Sequence, residues 1–185
     1  LNKGIKMAKG EIIGFLHSDD LYSNNDILSK VANVFRDNPS LDACYADLIY
    51  VKQTDISKIV RYWKSSKFIV GSFSKGWIPP HPTLFMRRSV YERFGDFNLS
   101  YSVVSDVELM MRFFEINKIQ TLYLNEVWVK MRLGGLSNKS FKSILKQNLD
   151  ILRALRIHRM NHNMIIFFIN KFASRLKQFF QKPNI

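Results

Sequence analysis

Short apolar runs alternate with amphipathic stretches along most of the chain, a pattern typical of α/β proteins. The clearest run contains Ile12, Ile13, Phe15 and Leu16 and predicts a buried strand over residues 11–17. Further strands are predicted over residues 42–51, 59–63, 83–87 and 119–131, the last of which also fits a strand pair. Helices are predicted over residues 2–9, 26–36, 89–94 and 106–117. We therefore expect an α/β fold with mixed strand directions near the middle of the sheet.

Two amphipathic helices are predicted in the C-terminal part of the chain. The first opens at Ser137 and aligns apolar residues along one side: Phe141, Leu145, Leu149 and Leu152. The second runs from about residue 164 to residue 180, with one apolar face: Ile165, Ile169, Phe172, Leu176 and Phe179. The chain accordingly divides into an α/β unit, residues 1–138, and a basic amphipathic helical tail, residues 139–185.

Most of the positive charge lies in that tail. The formal net charge is +13, and residues 139–185 contribute +9 of it through ten Lys or Arg against the single acid Asp150. Aromatic residues opposite Lys and Arg on the last helix fit a helix lying in a membrane interface. The same pattern also fits a last helix that packs on the domain while its charged side chains remain in water. We therefore expect the tail to bind an anionic surface, such as a membrane.

Composition narrows the class of protein. Hydrophobic residues make up 46% of the 185 residues, enough for a buried core. The single cysteine, Cys44, excludes an internal disulfide and fits a reducing compartment. No apolar run approaches the roughly 20 residues of a membrane-spanning helix. Although charge and aromatic content also suit nucleic-acid binders, no nucleic-acid motif is present, and we expect no nucleic-acid partner.

An acidic pair directly follows the first buried strand. His17, Ser18, Asp19 and Asp20 stand at its carboxyl end, where ligands bind in open α/β sheets. Adjacent carboxylates there can hold Mg²⁺ or Mn²⁺, which in turn binds a diphosphate. Turn formation and helix capping would also explain Asp19 and Asp20, and the spacing alone favours such a structural role over metal binding.

Two more groups allow both a structural and a functional interpretation. Prolines on both sides hold His81 in a set direction, although a lone histidine is more often a packing or surface residue. Ser105 and Glu108 form a capping-box pattern before an apolar run. From the sequence alone, a helix cap is the favoured interpretation of Ser105 and Glu108.

Paired glycines mark a fourth segment. Gly134 and Gly135 let a backbone approach a ligand closely, and Ser137 can cap the helix that follows. Arg132 flanks that helix N-terminus, which makes the segment a candidate anion site. An ordinary loop between a strand and a helix is the alternative.

Taken in order, these segments resemble the family 2 glycosyltransferases over roughly residues 2–140. Residues 2–20 carry an Asn-x-Gly helix, an Ala-x-Gly-Glu turn, a buried strand and a DxD-type acidic motif in the family's order. The resemblance implies a GT-A fold, a mixed sheet flanked by helices, with a C-terminal helical extension. It also implies that residues 1–138 are an N-terminally incomplete catalytic domain, without the βαβ part that holds the nucleotide base.

The resemblance implies roles for individual residues. Asp19 and Asp20 would bind Mn²⁺ or Mg²⁺, although many members have Asp where this chain has His17. Asp106 would be the general base that takes a proton from the acceptor hydroxyl. The implied donor-binding residues are Asn2, Gly4, His17 and Ser18. The implied acceptor or diphosphate contacts are His81, Glu108, Arg112, Arg132, Gly134, Gly135 and Ser137.

The function implied by the resemblance is sugar transfer in bacterial surface-polysaccharide synthesis. A nucleotide-diphosphate sugar would be the donor, and a saccharide or lipid-linked saccharide the acceptor, with inversion at the anomeric carbon. We expect a cytoplasmic location, peripheral on the inner face of the plasma membrane. The alternative is an inactive, truncated remnant that acts only as a basic module binding a membrane or a partner protein.

Overall fold

The structure is a computed structural model that describes residues 1–101, 103–133 and 141–183. The helices are α1 Asn2–Met7, α2 Ile27–Asp37, α3 Arg88–Phe94, α4 Ser105–Met111, α5 Phe141–Ile157 and α6 Met164–Phe180. The strands are β1 Ile12–Gly14, β2 Leu21–Tyr22, β3 Ala43–Val51, β4 Ile59–Trp63, β5 Phe85–Arg87 and β6 Thr121–Arg132. Short 3₁₀ turns cover Phe73–Lys75 and His81–Thr83, and a π-helical turn, Arg112–Ile116, continues α4.

All six strands form one mixed sheet, in which β3 is the hub. On one side, β3 pairs with the parallel strand β6. On the other side, its first residues pair with the antiparallel strand β5 and its last residues with the antiparallel strand β4. The strands β1 and β2 extend the sheet by antiparallel pairing with β5 and β6. The mixed sheet and the flanking helices agree with the predicted fold class.

Every residue of β3 is buried, because both faces of the strand are covered. Successive side chains of a strand point to opposite faces. Cys44, Ala46 and Leu48 therefore pack in a cluster with α2. Ala43 and Tyr45 pack on the other side, in a larger cluster with α3, α4 and α5. Apolar residues repeat at helical spacing on α2, as the sequence predicted: Ile27, Val31 and Phe35 are all buried.

The helix α5 contributes to the same core as the sheet. Its buried residues are Ile151, Leu152, Ala154 and Leu155. Of the apolar residues that the sequence aligns along one side of this helix, Leu152 is buried, whereas Leu145 and Leu149 are 46% and 52% exposed. The division at residue 138 stays a prediction, and residues 134–140, including the predicted helix start at Ser137, lie outside the described residues.

Two elements differ from the sequence prediction, and a third decides between two alternatives that the sequence left open. The two-residue strand β2 was not predicted, because two residues show no periodicity. The predicted helix over residues 106–117 is α-helical only as far as Met111 and then widens into the π-helical turn. The segment predicted over residues 119–131 is one long strand, β6, rather than two, and its pairing with β3 shifts register beside Asp47.

Asp47 ties three parts of the sheet together. Its carboxylate is fully buried and accepts hydrogen bonds from the hydroxyl of Tyr62 on β4, from the hydroxyl of Tyr123 on β6 (2.8 Å) and from the backbone N–H of Ser65 (2.7 Å). Burial raises the pKa of Asp47, and these three donors oppose the rise. The bonds fix the end of β4 and the irregular part of β6 against the centre of β3.

Candidate active site

The two acids of the DxD-type motif lie in different environments. Asp19 is exposed, together with His17 and Ser18, whereas Asp20 is 4% exposed. The backbone N–H of Asp20 donates to the carbonyl of His17 (3.1 Å), which closes the turn between β1 and β2. Neither carboxylate oxygen of Asp20 has a hydrogen-bond partner among the described residues. A buried carboxylate without partners is costly, which makes Asp20 a candidate for binding a cation.

The electrostatics at Asp20 fit this interpretation. Burial raises its pKa to about 6, and the charge of Asp19 adds to the rise, whereas His17 and the backbone of Arg132 oppose it. Within the described residues, no group of three or more His, Cys, Asp or Glu side chains could hold a metal ion. Magnesium commonly binds proteins through one or two carboxylates and completes its shell with phosphate oxygens and water. Asp19 and Asp20 suit a cation held in that way.

Asp106 lies in the first turn of α4 and is half-buried. The predicted capping box is wrong: the helix begins at Ser105, no side chain caps it, and Glu108 bonds elsewhere. One carboxylate oxygen of Asp106 accepts the backbone N–H of Val107 (2.8 Å). The described structure gives Asp106 no ion pair within 4.0 Å, although Lys171 interacts with it electrostatically at longer range.

His81 is buried between aromatic rings close to both acidic regions. Its ring stacks on Phe15 (centroids 5.7 Å apart, interplanar angle 25°) and meets the edge of Phe97 (5.7 Å, 79°). Its Nε2 atom has no hydrogen-bond partner among the described residues. Burial lowers the pKa of His81, opposed by the charge of Asp106 and aided by that of His17. The imidazole is therefore neutral at pH 7 and lies within electrostatic reach of Asp106.

The 3₁₀ turn that carries His81 is fixed to the centre of the sheet. The Thr83 hydroxyl oxygen lies 2.8 Å from the carbonyl oxygens of both Ala46 and Pro80, and it accepts the backbone N–H of Ala46 (3.2 Å). A buried hydroxyl with this many partners restricts the turn. The position of His81 therefore depends on β3.

Glu108 and Arg112 form a buried network rather than an open pocket. Glu108 accepts hydrogen bonds from Arg112 (3.2 Å) and from the ring of His158, the residue directly after α5 (2.8 Å). The remaining guanidinium nitrogens of Arg112 donate to the carbonyls of Phe94, Gly95 and Asp96. The network joins α4, α5 and the turn after α3. Direct substrate contact by Glu108 and Arg112 stays a prediction, and their observed contacts hold the helix of Asp106.

Asn2 and Gly4 lie on α1, at the edge of the same region. The Asn2 side chain donates to the carbonyl of Phe97 (2.9 Å) and accepts its backbone N–H (3.1 Å). It thus holds the residue whose ring borders His81. Gly4 faces open space. Donor binding by Asn2, Gly4, His17 and Ser18 stays a prediction.

Arg132 ends β6 on the Asp20 side of the sheet. It is half-buried, and its Nε atom has no hydrogen-bond partner within the described part of the chain. Its backbone lies close enough to Asp20 to lower the pKa of that carboxyl. Gly134, Gly135 and Ser137, predicted to contact a diphosphate or an acceptor, lie outside the described residues.

The sequence analysis did not predict a group of cations that faces this region from α6 and β4. The packing side of α6 carries Phe167, Lys171 and Arg175 at four-residue spacing. Burial lowers the pKa of Lys171 to about 8, with the charge of Arg175 acting in the same direction and that of Asp106 opposing it. The four-residue spacing was visible in the sequence, but the apolar residues of the opposite face gave the stronger signal.

The apolar face of α6 points away from the domain. Ile165 is 70% exposed, Ile169 61% and Phe172 67%. None of the helices in the described ranges is both long enough and apolar enough to cross a membrane.

The mixed sheet, with its flanking helices and C-terminal helices, is that of a GT-A glycosyltransferase. A model of glycosyl transferase family 2 matches residues 1–96, and the chain belongs to that family, as the sequence resemblance predicted. Glycosyltransferases of PGL/p-HBAD biosynthesis from Mycobacterium bovis and Mycobacterium tuberculosis are 29% identical over 139 residues. The match covers 75% of this chain and 52% of theirs, so the chain spans about half the length of these curated relatives.

Solved structures agree with the fold assignment. Residues 1–349 of S. aureus TarS match with a TM-score of 0.57 and 14% identity, over 93% of this chain and 50% of that one. The same part of TarS in complex with UDP matches with a TM-score of 0.52 and 14% identity, over 94% of this chain and 48% of that one. At such identities the likeness shows the fold, and it confirms the predicted GT-A class.

Replacing Asp20 by Asn is expected to stabilise the fold at about pH 7.5, by on the order of 2 kcal/mol. A pKa near 6 in the folded chain, against the ordinary 3.8, means that the folded state binds the proton more tightly. The contribution of Asp20 to stability is therefore full below about pH 4 and is lost as the pH rises through 6. The gain of the variant should appear over that interval, measured by urea unfolding at several pH values.

The matched control is Asp19→Asn, which changes an exposed carboxylate next to it and should leave stability within about 0.5 kcal/mol of wild type. An Asp20→Asn variant that is less stable than wild type throughout this pH range would contradict the assignment of Asp20 as an unpaired buried acid.

Proposed function

We propose that this chain carries the catalytic centre of an inverting glycosyltransferase. The donor is a nucleotide-diphosphate sugar, and the acceptor is a hydroxyl of a saccharide or lipid-linked saccharide in bacterial surface-glycan synthesis. The observation that supports this most strongly is the arrangement of two acidic positions around one buried imidazole. His17 interacts with both Asp20 and His81, and His81 also interacts with Asp106. A site for a cation and a site for a base therefore adjoin, in a member of glycosyl transferase family 2.

In this proposal, Asp19 and Asp20 bind the donor diphosphate through Mn²⁺ or Mg²⁺. The metal, when bound, stabilises the negative charge that develops on the departing diphosphate. The unpaired, buried oxygens of Asp20 support its role as a ligand, and exposed Asp19 lies beside it. UDP is the first nucleotide to test, since a TarS structure with the same fold was solved in complex with UDP.

Asp106 acts in this proposal as the general base. A sugar hydroxyl is a weak nucleophile until a positioned carboxylate removes its proton during attack. Attack from the side opposite the diphosphate inverts the configuration at the anomeric carbon. Neutral His81, with a free Nε2 atom, can hold the acceptor hydroxyl or a donor oxygen by one hydrogen bond without competing for the proton.

A lipid-linked acceptor also gives the exposed apolar face of α6 a role. We propose that this face lies in the interface of the inner leaflet of the plasma membrane and keeps the chain peripheral to it. Its exposed side chains are Ile165, Ile169, Phe172, Leu176, Phe179 and Phe180. Exposed cations near the end of the helix, Lys177 and Lys182, suit an anionic leaflet.

UDP should bind the wild-type chain in the presence of Mn²⁺, and much more weakly without it, because the metal links the carboxylates to the diphosphate. Titration calorimetry with and without Mn²⁺ measures this directly. The double variant Asp19→Ala/Asp20→Ala should lose at least about tenfold in affinity. Asp37→Ala, which removes a 65% exposed carboxylate on α2, is the matched control and should bind like wild type. Metal-dependent UDP binding that survives the double substitution would refute the assignment, and no binding by any variant would favour the non-catalytic basic module.

The variant Asp106→Asn should separate binding from chemistry. Because the amide cannot take a proton, the rate of UDP release from UDP-sugars should fall by roughly 10²–10⁴-fold. UDP affinity in the presence of Mn²⁺ should not change. Donor hydrolysis or transfer to an added saccharide, followed by coupled detection of UDP, gives the rate. An Asp106→Asn variant as active as wild type would exclude Asp106 as the base.

Membrane attachment should depend on the exposed face of α6. We expect Ile169→Ser/Phe172→Ser to reduce co-sedimentation with vesicles of phosphatidylglycerol and phosphatidylcholine by at least about fivefold, because each substitution removes apolar area from the interface. The matched control, Ile69→Ser/Leu99→Ser, removes two apolar side chains outside α6 that are more exposed (71% and 84%) than Ile169 and Phe172. Equal losses in both variants would count against α6 as the membrane-binding element.

A further inference from the structure

The last helix turns its polar side to the protein and its apolar side to solvent. On a helix that packs by apolar burial, the opposite orientation is expected. The side of α6 that faces the domain carries Lys171, Arg175 and the buried Gln178 after two aromatic residues that pack against the core, Phe167 and Phe168. Apolar packing accounts for these two aromatic residues, so the inward orientation of the two cations requires another explanation.

A third cation faces the same space from β4. Arg61 is 9% exposed, its guanidinium carbon lies 3.8 Å from the centre of the Tyr50 ring, and its Nε atom has no hydrogen-bond partner among the described residues. The same group lies 5.9 Å from the ring of Phe179 on α6. A buried guanidinium nitrogen without a hydrogen-bond acceptor costs free energy.

In the described part of the chain, these three cations, Arg61, Lys171 and Arg175, form no ion pair with a protein acid within 4.0 Å. Instead, the charge of Arg175 lowers the pKa of both Arg61 and Lys171, after the larger effect of burial. Like charges that are brought together and partly desolvated repel one another. An anion bound among them removes that cost.

The group is held in place by a close approach of α6 to the loop after β4. A methyl group on Gly76 would lie 2.7 Å from the carbonyl oxygen of Phe167 and 3.4 Å from Cβ of Lys171. Gly76 also has a φ of +86°, which favours glycine for a second reason. The buried carboxylate of Glu115 accepts the backbone N–H groups of Gly71 (2.8 Å and 2.9 Å to its two oxygens) and Phe73 (3.3 Å) and so fixes the same loop.

The cations lie within electrostatic reach of both acidic positions of the candidate site. Asp106 interacts electrostatically with Lys171. Tyr50, which lies against Arg61 (3.8 Å), interacts electrostatically with Asp20 as well as with Arg175.

We propose that Arg61, Lys171 and Arg175 form an anion pocket that binds a phosphate group of a substrate beside Asp106. This inference rests on the proposed function and deepens it, since it adds a metal-independent phosphate site supplied by the C-terminal helix. Two sources carry the same chemistry, the diphosphate of the donor and a phosphate on the acceptor. Arginine and lysine hold such oxyanions by charge-assisted hydrogen bonds.

The test measures binding of inorganic pyrophosphate to the full chain by titration calorimetry, in the presence of EDTA and at low salt. We expect wild-type binding that weakens at least about tenfold in Lys171→Gln/Arg175→Gln. The matched control is Lys177→Gln/Lys182→Gln, which removes the same two charges from exposed positions near the end of the same helix and should weaken binding less than about twofold. Circular dichroism checks that each variant is folded, and Lys171→Arg/Arg175→Lys, which keeps both charges, should restore most of the affinity.

Absence of pyrophosphate binding by the wild-type chain would overturn the proposal. So would equal weakening in the two Gln variants, since that result reports only a general positive field. If the Lys171→Gln/Arg175→Gln variant still binds pyrophosphate like wild type, the pocket is also excluded.

Competition identifies the source of the phosphate. If UDP with Mn²⁺ displaces pyrophosphate, the pocket belongs to the donor diphosphate. If glucose 1-phosphate still binds through Lys171 when UDP and Mn²⁺ are saturating, the pocket belongs to the acceptor. Metal-free pyrophosphate binding does not need Asp19 or Asp20, so loss of metal-dependent UDP binding in their double variant and loss of pyrophosphate binding in the α6 variant test the two proposals separately.

Discussion

The complete burial of β3 is the constraint on which the rest of this structure depends. A strand covered on both faces and paired along both edges cannot leave its polar groups to water. The protein satisfies them with three other strands and with the hydrogen bonds to Asp47. The same strand anchors the turn of His81 through the backbone of Ala46. Errors in the placement of β3 would therefore be passed on directly to the residues around the candidate site.

The candidate site is built from groups that the fold leaves unsatisfied. Elsewhere, the buried acids Asp47 and Glu115 have hydrogen-bond partners on both carboxylate oxygens. Around the candidate site, Asp20, His81, Arg61 and Arg132 each keep a buried polar atom without a partner in the described part of the chain. Several buried polar atoms without hydrogen-bond partners are expected in a region where a bound ligand supplies those partners. The contrast separates residues that hold the framework from those available for chemistry.

Sequence patterns predicted most of the fold and part of the site. The apolar spacing of α2 and the run of β3 predicted their elements, because burial on a defined face enforces periodicity. Family resemblance supplied Asp20 and Asp106, which spacing alone could not distinguish from turn or cap residues. The inward direction of Lys171 could not be predicted, since it depends on the close approach to Gly76 and on charges distant in sequence. The engagement of Asn2 with Phe97 was equally invisible, because 95 residues separate the two.

Because the side of α6 that packs on the domain is polar, docking of this helix is thermodynamically coupled to ligand binding. Phe167 and Phe168 hold the first part of α6 against the domain, while the like charges of Arg61, Lys171 and Arg175 repel one another. An anion that binds only when α6 is docked stabilises the docked state. Docking of α6 in turn strengthens binding of that anion, and the two effects have the same free energy. Since the opposite face of α6 is apolar and exposed, a surface that captures that face would also change the affinity of the pocket beneath. The helix thus couples two sides of the molecule through a single rigid body.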